Sequence, residues 1–94
     1  MQISRFEHVN GIPVEEKVEE WVETYFHNMM TVLNSFLSYV DIAVAVDRLK
    51  SIPFDKLVRE ELEGESEAVL TIAVNKIQEL AEAEISFQES YLNP

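Results

Sequence analysis

The stretch VEEKVEEWVETYFHNMMTVLNSFLSYV, residues 14 to 40, decides the fold of this 94-residue chain. When the residues are placed on a wheel at about 100° per residue, the apolar side chains fall within one broad half and the polar ones within the other. A register held over this length predicts one long amphipathic helix over residues 13–40, with Pro13 suited to its first position. The expected fold class is therefore all-α.

Residues 41–50 continue the helical pattern only with a change of face, because Ile42, Val46 and Leu49 point to the formerly polar side. One interpretation is a kinked helix that runs on to about residue 50 and packs against a second neighbour. The alternative is a β-strand, since β-branched residues alternate between positions 40 and 46. No turn residue separates the segment from the first helix, which favours the helical interpretation.

A short connecting helix is expected over residues 53–63. Ser51, Ile52 and Pro53 interrupt the preceding pattern, and a proline is well suited to the start of a helix. The stretch that follows is amphipathic and ends at Gly64, a residue type that commonly terminates helices.

The last predicted element is a second long amphipathic helix over residues 66–92, with Ser66 as its cap. Its apolar face extends as far as Leu92. Residues 1–12 are expected to form an extended arm, or else a short hairpin around an Asn-Gly turn. Residues 1–94 then make one small helical domain, since the chain is too short for two.

Composition excludes several classes of function. The net charge of -11 opposes direct binding to nucleic acid, because that affinity comes from lysines and arginines that displace counterions. The chain contains no cysteine, which removes thiol chemistry and fits a cytoplasmic location. It also lacks a basic, apolar secretory leader and an uninterrupted membrane span, so we expect no contact with a membrane.

Catalytic and metal-binding patterns are weak. There is no glycine-rich phosphate loop and no nucleophile elbow, and the chain has only two histidines. Glu23 and His27 stand one helical turn apart, but no second helix carries an obvious complementary ligand. Glu84 is a single charge on an apolar face and is expected to reach water. We therefore expect no enzyme, no cofactor and no metal site.

The second half of the first helix is apolar over nearly twice the arc that one neighbouring helix can cover. We therefore expect a homodimer, with a two-fold contact as the commonest arrangement. The residues expected to form the apolar seam of this dimer are Phe26, Met30, Leu33, Leu37 and Val40. The alternative is that residues 41–50 fold back and complete a monomeric core.

Acidic residues are concentrated in segments of the chain. Glu15 and Glu16 are explained by the favourable dipole at the start of a helix, whereas Glu60, Glu61 and Glu63 lie at an unfavourable C-terminal end. Residues kept against local preference are reasonable candidates for function. The carboxylates that we expect to contact a partner are Glu19, Glu23, Glu60, Glu61, Glu63 and Glu65.

Two functions are compatible with these features. The first is a protein-protein interaction or regulatory protein, which acts as a homodimer and binds a protein that has a basic surface. The alternative is an inhibitor of the mobile-element or phage type, which imitates a nucleic-acid backbone and occupies the basic groove of a DNA- or RNA-handling protein. A charged segment is more often a solvated face than a mimic, which favours the first function.

Overall fold

The computed structural model describes residue 6, residues 13–37 and residues 41–92, apart from the side chains of residues 36 and 37. These ranges contain no β-strand, so the all-α prediction is confirmed. The four helices of the described ranges are α1 (Val14–Leu37), α2 (Ile42–Ser51), α3 (Phe54–Glu61) and α4 (Glu67–Glu89).

Helix α1 begins as the sequence predicts. The Pro13 carbonyl accepts a hydrogen bond from the backbone N–H of Lys17 at 3.2 Å, which closes the first turn. Glu15 and Glu16 lie in this turn, where the positive end of the helix dipole stabilises carboxylates. The helix ends at Leu37, and the predicted continuation over residues 38–40 lies outside the described residues.

Helix α2 is a separate element. Asp41, at its N-cap, has φ -64° and ψ 150°, so extended backbone interrupts the helical path before Ile42. The strand interpretation is wrong, because residues 42–46 are helical, and the kinked continuation of α1 is not confirmed. Ala45, Val46 and Leu49 are the buried residues of α2, at the spacing that places side chains on one face of a helix.

Helices α3 and α4 form an antiparallel hairpin with the predicted signals at its turn. Gly64 has φ 96°, a left-handed conformation that glycine adopts without the steric cost of a Cβ. Ser66 caps α4 as predicted, because its Oγ accepts a hydrogen bond from the N–H of Val69 at 3.3 Å. The hairpin therefore follows from local sequence.

Helix α4 is the centre of the fold, since α1, α2 and α3 all pack against it. Lys76 of α4 contacts Glu23 of α1, and further along both helices Glu84 lines the same groove as Asn34. Residue numbers increase together along this interface, so α1 and α4 run parallel. Their N-termini therefore lie at the same end of a molecule that measures 48 × 22 × 20 Å.

The core lies where the four described helices meet. Its largest fully buried side chains come from α1 to α4 and from the turn after α3, and they are Leu49, Leu62, Ile77, Val18, Val22 and Val58. Phe26 and Phe54 join α1 to α3 with ring centroids 5.6 Å apart. Burial of each such side chain contributes about 1.5 to 3 kcal/mol, which makes this cluster the main source of stability.

Phe6, the residue of the N-terminal segment that the structure describes, belongs to the core. Phe6 is only 4% exposed, and its ring meets Trp21 edge to face at 6.1 Å. Trp21 in turn stacks on Tyr25 at 5.1 Å, so an aromatic column runs along α1. The remainder of the expected arm or hairpin over residues 1–12 lies outside the described residues.

Within the described ranges, no helix combines the length and the apolar character that crossing a bilayer requires.

Candidate functional site

The fold brings two acidic segments together at one end of the molecule. The first segment opens α1, and the second joins the end of α3 to the start of α4. Because α1 and α4 are parallel, both segments lie at the end that carries their N-termini. We call this surface the acidic end, and its ten carboxylates are Glu15, Glu16, Glu19, Glu20, Glu23, Glu60, Glu61, Glu63, Glu65 and Glu67.

Tyr25 reports how close the two acidic segments are. Burial raises the pKa of the Tyr25 phenol, and the negative charges of Glu61 and then Glu60 raise it further. A carboxylate has this effect because it disfavours a second negative charge nearby. The carboxylates at the end of α3 therefore act on the surface of α1, although the two segments are distant in sequence.

Two of the six expected partner-binding carboxylates are close to a lysine of the same chain. Lys76 Nζ lies 3.3 Å from Glu23 Oε1, and the Lys76 side chain is only 15% exposed. The hydrogen bond to Glu23 is the main cause that raises the pKa of Lys76; burial opposes it, and Glu79, Glu23 and Glu19 add to it by their charge. Glu19 and Glu23 thus help to hold α1 on α4.

The other four expected carboxylates lie around the α3–α4 turn. Glu60, Glu61 and Glu63 are exposed, whereas Glu65 is half-buried. The backbone N–H of Glu65 donates to the Leu62 carbonyl at 3.1 Å, which fixes the turn. The three exposed carboxylates are therefore accessible to another molecule, as are Glu15, Glu16, Glu20 and Glu67 of the same end.

The expected apolar seam is divided by the fold. Phe26 and Met30 are 8% and 7% exposed and belong to the core of a single chain, where Phe54 of α3 packs against Phe26. Leu33 is half-buried, and the Leu37 side chain and Val40 lie outside the described residues. The two buried members cannot meet a second chain unless this core opens.

Helix α2 folds back onto α4, which is the arrangement the sequence offered as the alternative to a dimer seam. Leu49 is 1% exposed and joins the same core cluster as Phe26. Sequence reasoning could not choose between the two arrangements, because the apolar residues of α2 fit either neighbour.

A groove of about 360 Å³ lies on the surface between α1 and α4, which line it together. Glu23 and His27 of α1 and Glu84 of α4 line it, above the apolar side chains of Phe26, Met30 and Leu80. Glu84 is half-buried, and its Oε1 accepts a hydrogen bond from Gln88 Nε2 at 3.0 Å. The sequence suggested His27 and Glu84 separately, and only the parallel packing of the helices brings them to one groove.

This groove does not supply the ligand set of a metal centre. Within the part of the chain that the structure describes, no three histidine or carboxylate side chains are grouped so that they could hold a metal ion. Glu23 is also engaged by Lys76, whose positive charge competes with a cation for the same carboxylate.

Some large apolar side chains stay exposed in a way that was not recognised from the sequence. On α2 they are Ile42 and Val44, and at the end of α4 they are Phe87, Tyr91 and Leu92. The ion pair of Lys50 with Glu89 at 3.3 Å joins the two helices. The sequence placed Phe87, Tyr91 and Leu92 on the apolar face of the last helix, yet each of them is at least 41% exposed.

No family model matches this chain, and no curated protein or solved structure is significantly similar to it. Function is therefore inferred from the chain's own residues, and the acidic end holds ten of its 18 acidic side chains.

Proposed function

We propose that this chain is a protein-protein interaction or regulatory protein, which binds a protein partner with a basic surface through its acidic end and acts as a homodimer. The observation that supports the proposal is the gathering of ten carboxylates from two separate segments at one end of the molecule. Lys17 and Arg59 lie in the same two segments, but the excess of negative charge remains large, and such a surface attracts a basic partner and orients it during encounter.

The position of the acidic residues favours recognition over solubility alone. Charge that serves only solubility is expected to be spread over the surface, with both signs interspersed. Glu60 and Glu61 close α3, where the negative end of the helix dipole disfavours them. Their charges also disfavour ionisation of the neighbouring Tyr25. Local stability therefore gives no reason for these carboxylates, whereas binding to a basic surface does.

The proposal contains no catalytic step, cofactor or metal, and it includes a cytoplasmic location. The absence of cysteine is compatible with a reducing compartment. The acidic end also supports mimicry of a nucleic-acid backbone as an alternative function, because a mimic needs the same concentration of negative charge. The two functions differ in whether nucleic acid competes with this chain for the partner.

The test compares two variants that each remove two negative charges. Glu60→Gln with Glu63→Gln changes the acidic end, and Asp55→Asn with Glu82→Gln is the matched control. Asp55 and Glu82 are also exposed, but they line a different groove, between α3 and α4. Each protein is immobilised and used to capture partners from a lysate of the organism that encodes the chain, and retained proteins are identified by mass.

We expect the wild type and the control to retain a protein with a basic surface that the E60Q/E63Q variant loses. Partners retained equally by all three proteins would contradict the role of the acidic end. Capture is repeated at about 0.1 M and about 1 M salt, between which the screening length falls from roughly 10 Å to 3 Å. Retention at high salt in the presence of duplex DNA indicates a protein interaction with apolar contacts. Displacement by salt and by DNA together indicates mimicry.

A further inference from the structure

Lys76 lies against carboxylates that the proposed function assigns to a partner. It is the single basic residue of α4, and its Nζ lies 3.3 Å from Glu23 Oε1 of α1. The lysine side chain is only 15% exposed, whereas the Glu23 side chain is 56% exposed. Glu23 thus has an exposed carboxylate that a mostly buried cation of the same chain already holds.

More than one carboxylate acts on the Lys76 ammonium group. The hydrogen bond to Glu23 is the main cause that raises the pKa of Lys76, and the charges of Glu79, Glu23 and Glu19 raise it further against the opposing effect of burial. Lys76 is therefore charged at neutral pH. Its positive charge neutralises a part of the acidic end from inside the protein.

A basic partner has to compete with this lysine for Glu23. A carboxylate that is paired with an ammonium group attracts a second cation less, because the two positive charges repel one another. Glu23 is exposed, so a lysine or arginine of the partner can still approach it. The long apolar stem of Lys76 allows its ammonium group to turn toward water when it is displaced.

We propose that Lys76 is an internal competitor of the basic partner for Glu23 and that it limits the affinity of the acidic end. The inference rests on the proposed function, since it concerns the regulation of the same surface. Lys76 sets the strength of the contact with the partner without belonging to that contact.

The test measures binding of an oligolysine peptide, which represents the basic surface of the partner, by isothermal titration calorimetry. Lys76→Met removes the ammonium group and keeps an unbranched apolar side chain between α1 and α4. Because Glu23 loses its internal cation, K76M should bind oligolysine about three- to tenfold more tightly than the wild type. Circular dichroism and urea unfolding verify that each variant is folded.

Lys50→Met is the matched control, because Lys50 also pairs with a glutamate, Glu89, at 3.3 Å. It changes the net charge by the same amount at a different place, since Glu89 lies about 20 Å beyond Lys76 at 1.5 Å per residue. That distance exceeds the screening length of about 8 Å at physiological salt, so K50M should bind oligolysine within about twofold of the wild type.

Two further variants separate competition from a structural role of Lys76. Lys76→Arg keeps the positive charge and should bind oligolysine like the wild type. In the Glu23→Gln background the shared carboxylate is absent, so the gain from K76M should be smaller there than in the wild-type background. No gain in K76M overturns the proposal, as does an equal gain in K50M or K76R, or a gain that E23Q leaves undiminished.

Capture from the lysate separates this inference from the proposed function. A basic partner that the wild type and K76M retain with equal affinity leaves the proposed function standing and overturns the role of Lys76. Tighter binding of oligolysine by K76M, in a chain that captures no basic partner, supports the competition for Glu23 and removes the proposed function.

Discussion

Phe6→Ala tests whether the N-terminal segment is part of the folded core. The Phe6 ring is 4% exposed and packs against Trp21 at 6.1 Å. A ring of this kind removes roughly 200 Å² from water, which at about 25 cal/mol per Å² gives an upper limit near 5 kcal/mol. Residual compactness of the unfolded chain and relaxation around the cavity reduce this value. We expect Phe6→Ala to lower the free energy of unfolding by about 3 kcal/mol.

A loss of this size is readily measured, because small domains are stable by only about 5 to 15 kcal/mol. Urea unfolding is followed by circular dichroism, which reports helix content, and by the fluorescence of Trp21, the chain's single tryptophan. At urea concentrations that leave both proteins folded, the emission of Trp21 should shift to longer wavelength in F6A, since the indole loses the ring that covers its edge. The thermal midpoint should fall by more than about 10 °C.

Phe6→Leu is the matched control, because leucine keeps most of the apolar volume and loses the edge-to-face contact. We expect Phe6→Leu to lower the free energy of unfolding by about 1 kcal/mol. If F6A unfolds within about 0.5 kcal/mol of the wild type and leaves the Trp21 emission unchanged, Phe6 is not a core residue and the reasoning fails.

Two further perturbations test the helix cap and the acidic surroundings of α1. Ser66→Ala removes the acceptor of the Val69 N–H and should lower the free energy of unfolding by about 1 kcal/mol. Ser86→Ala, inside α4, should be neutral or slightly stabilising, and equal effects of the two variants in urea unfolding would argue against the cap. Tyr25 has a raised pKa in the folded chain, so the folded state holds its phenolic proton more tightly than the unfolded state. Its contribution to stability is complete below a pH of about 10, the unfolded pKa, and is lost as the pH rises through the folded pKa. Tyr25→Phe should therefore lose less stability than the wild type as the pH rises above about 10, measured by urea unfolding at each pH. An identical alkaline loss in both proteins would refute the effect of Tyr25.

Local sequence indicated where α3 and α4 begin and where the turn between them lies, but it did not indicate the break between α1 and α2. Ser66 and Gly64 act through hydrogen bonds and backbone angles within a few residues, and Pro53 interrupts the chain where α3 starts. These signals are short in range, so they can be read without knowledge of the fold. Phe6 was missed because no periodic pattern surrounds it, and its burial depends on Trp21, which lies in another segment.

The sequence by itself determined the all-α class and the excess of acidic residues, but only the tertiary structure decided which side chains remain exposed. Phe26 and Phe87 both lie on apolar helix faces, yet Phe26 packs against Phe54 of α3 whereas Phe87 is 57% exposed. Likewise, only the parallel packing of α1 and α4 brings Lys76 to Glu23, which stays exposed. Helical periodicity is set by bonds between residues close in the chain, whereas burial depends on contacts between residues far apart in it.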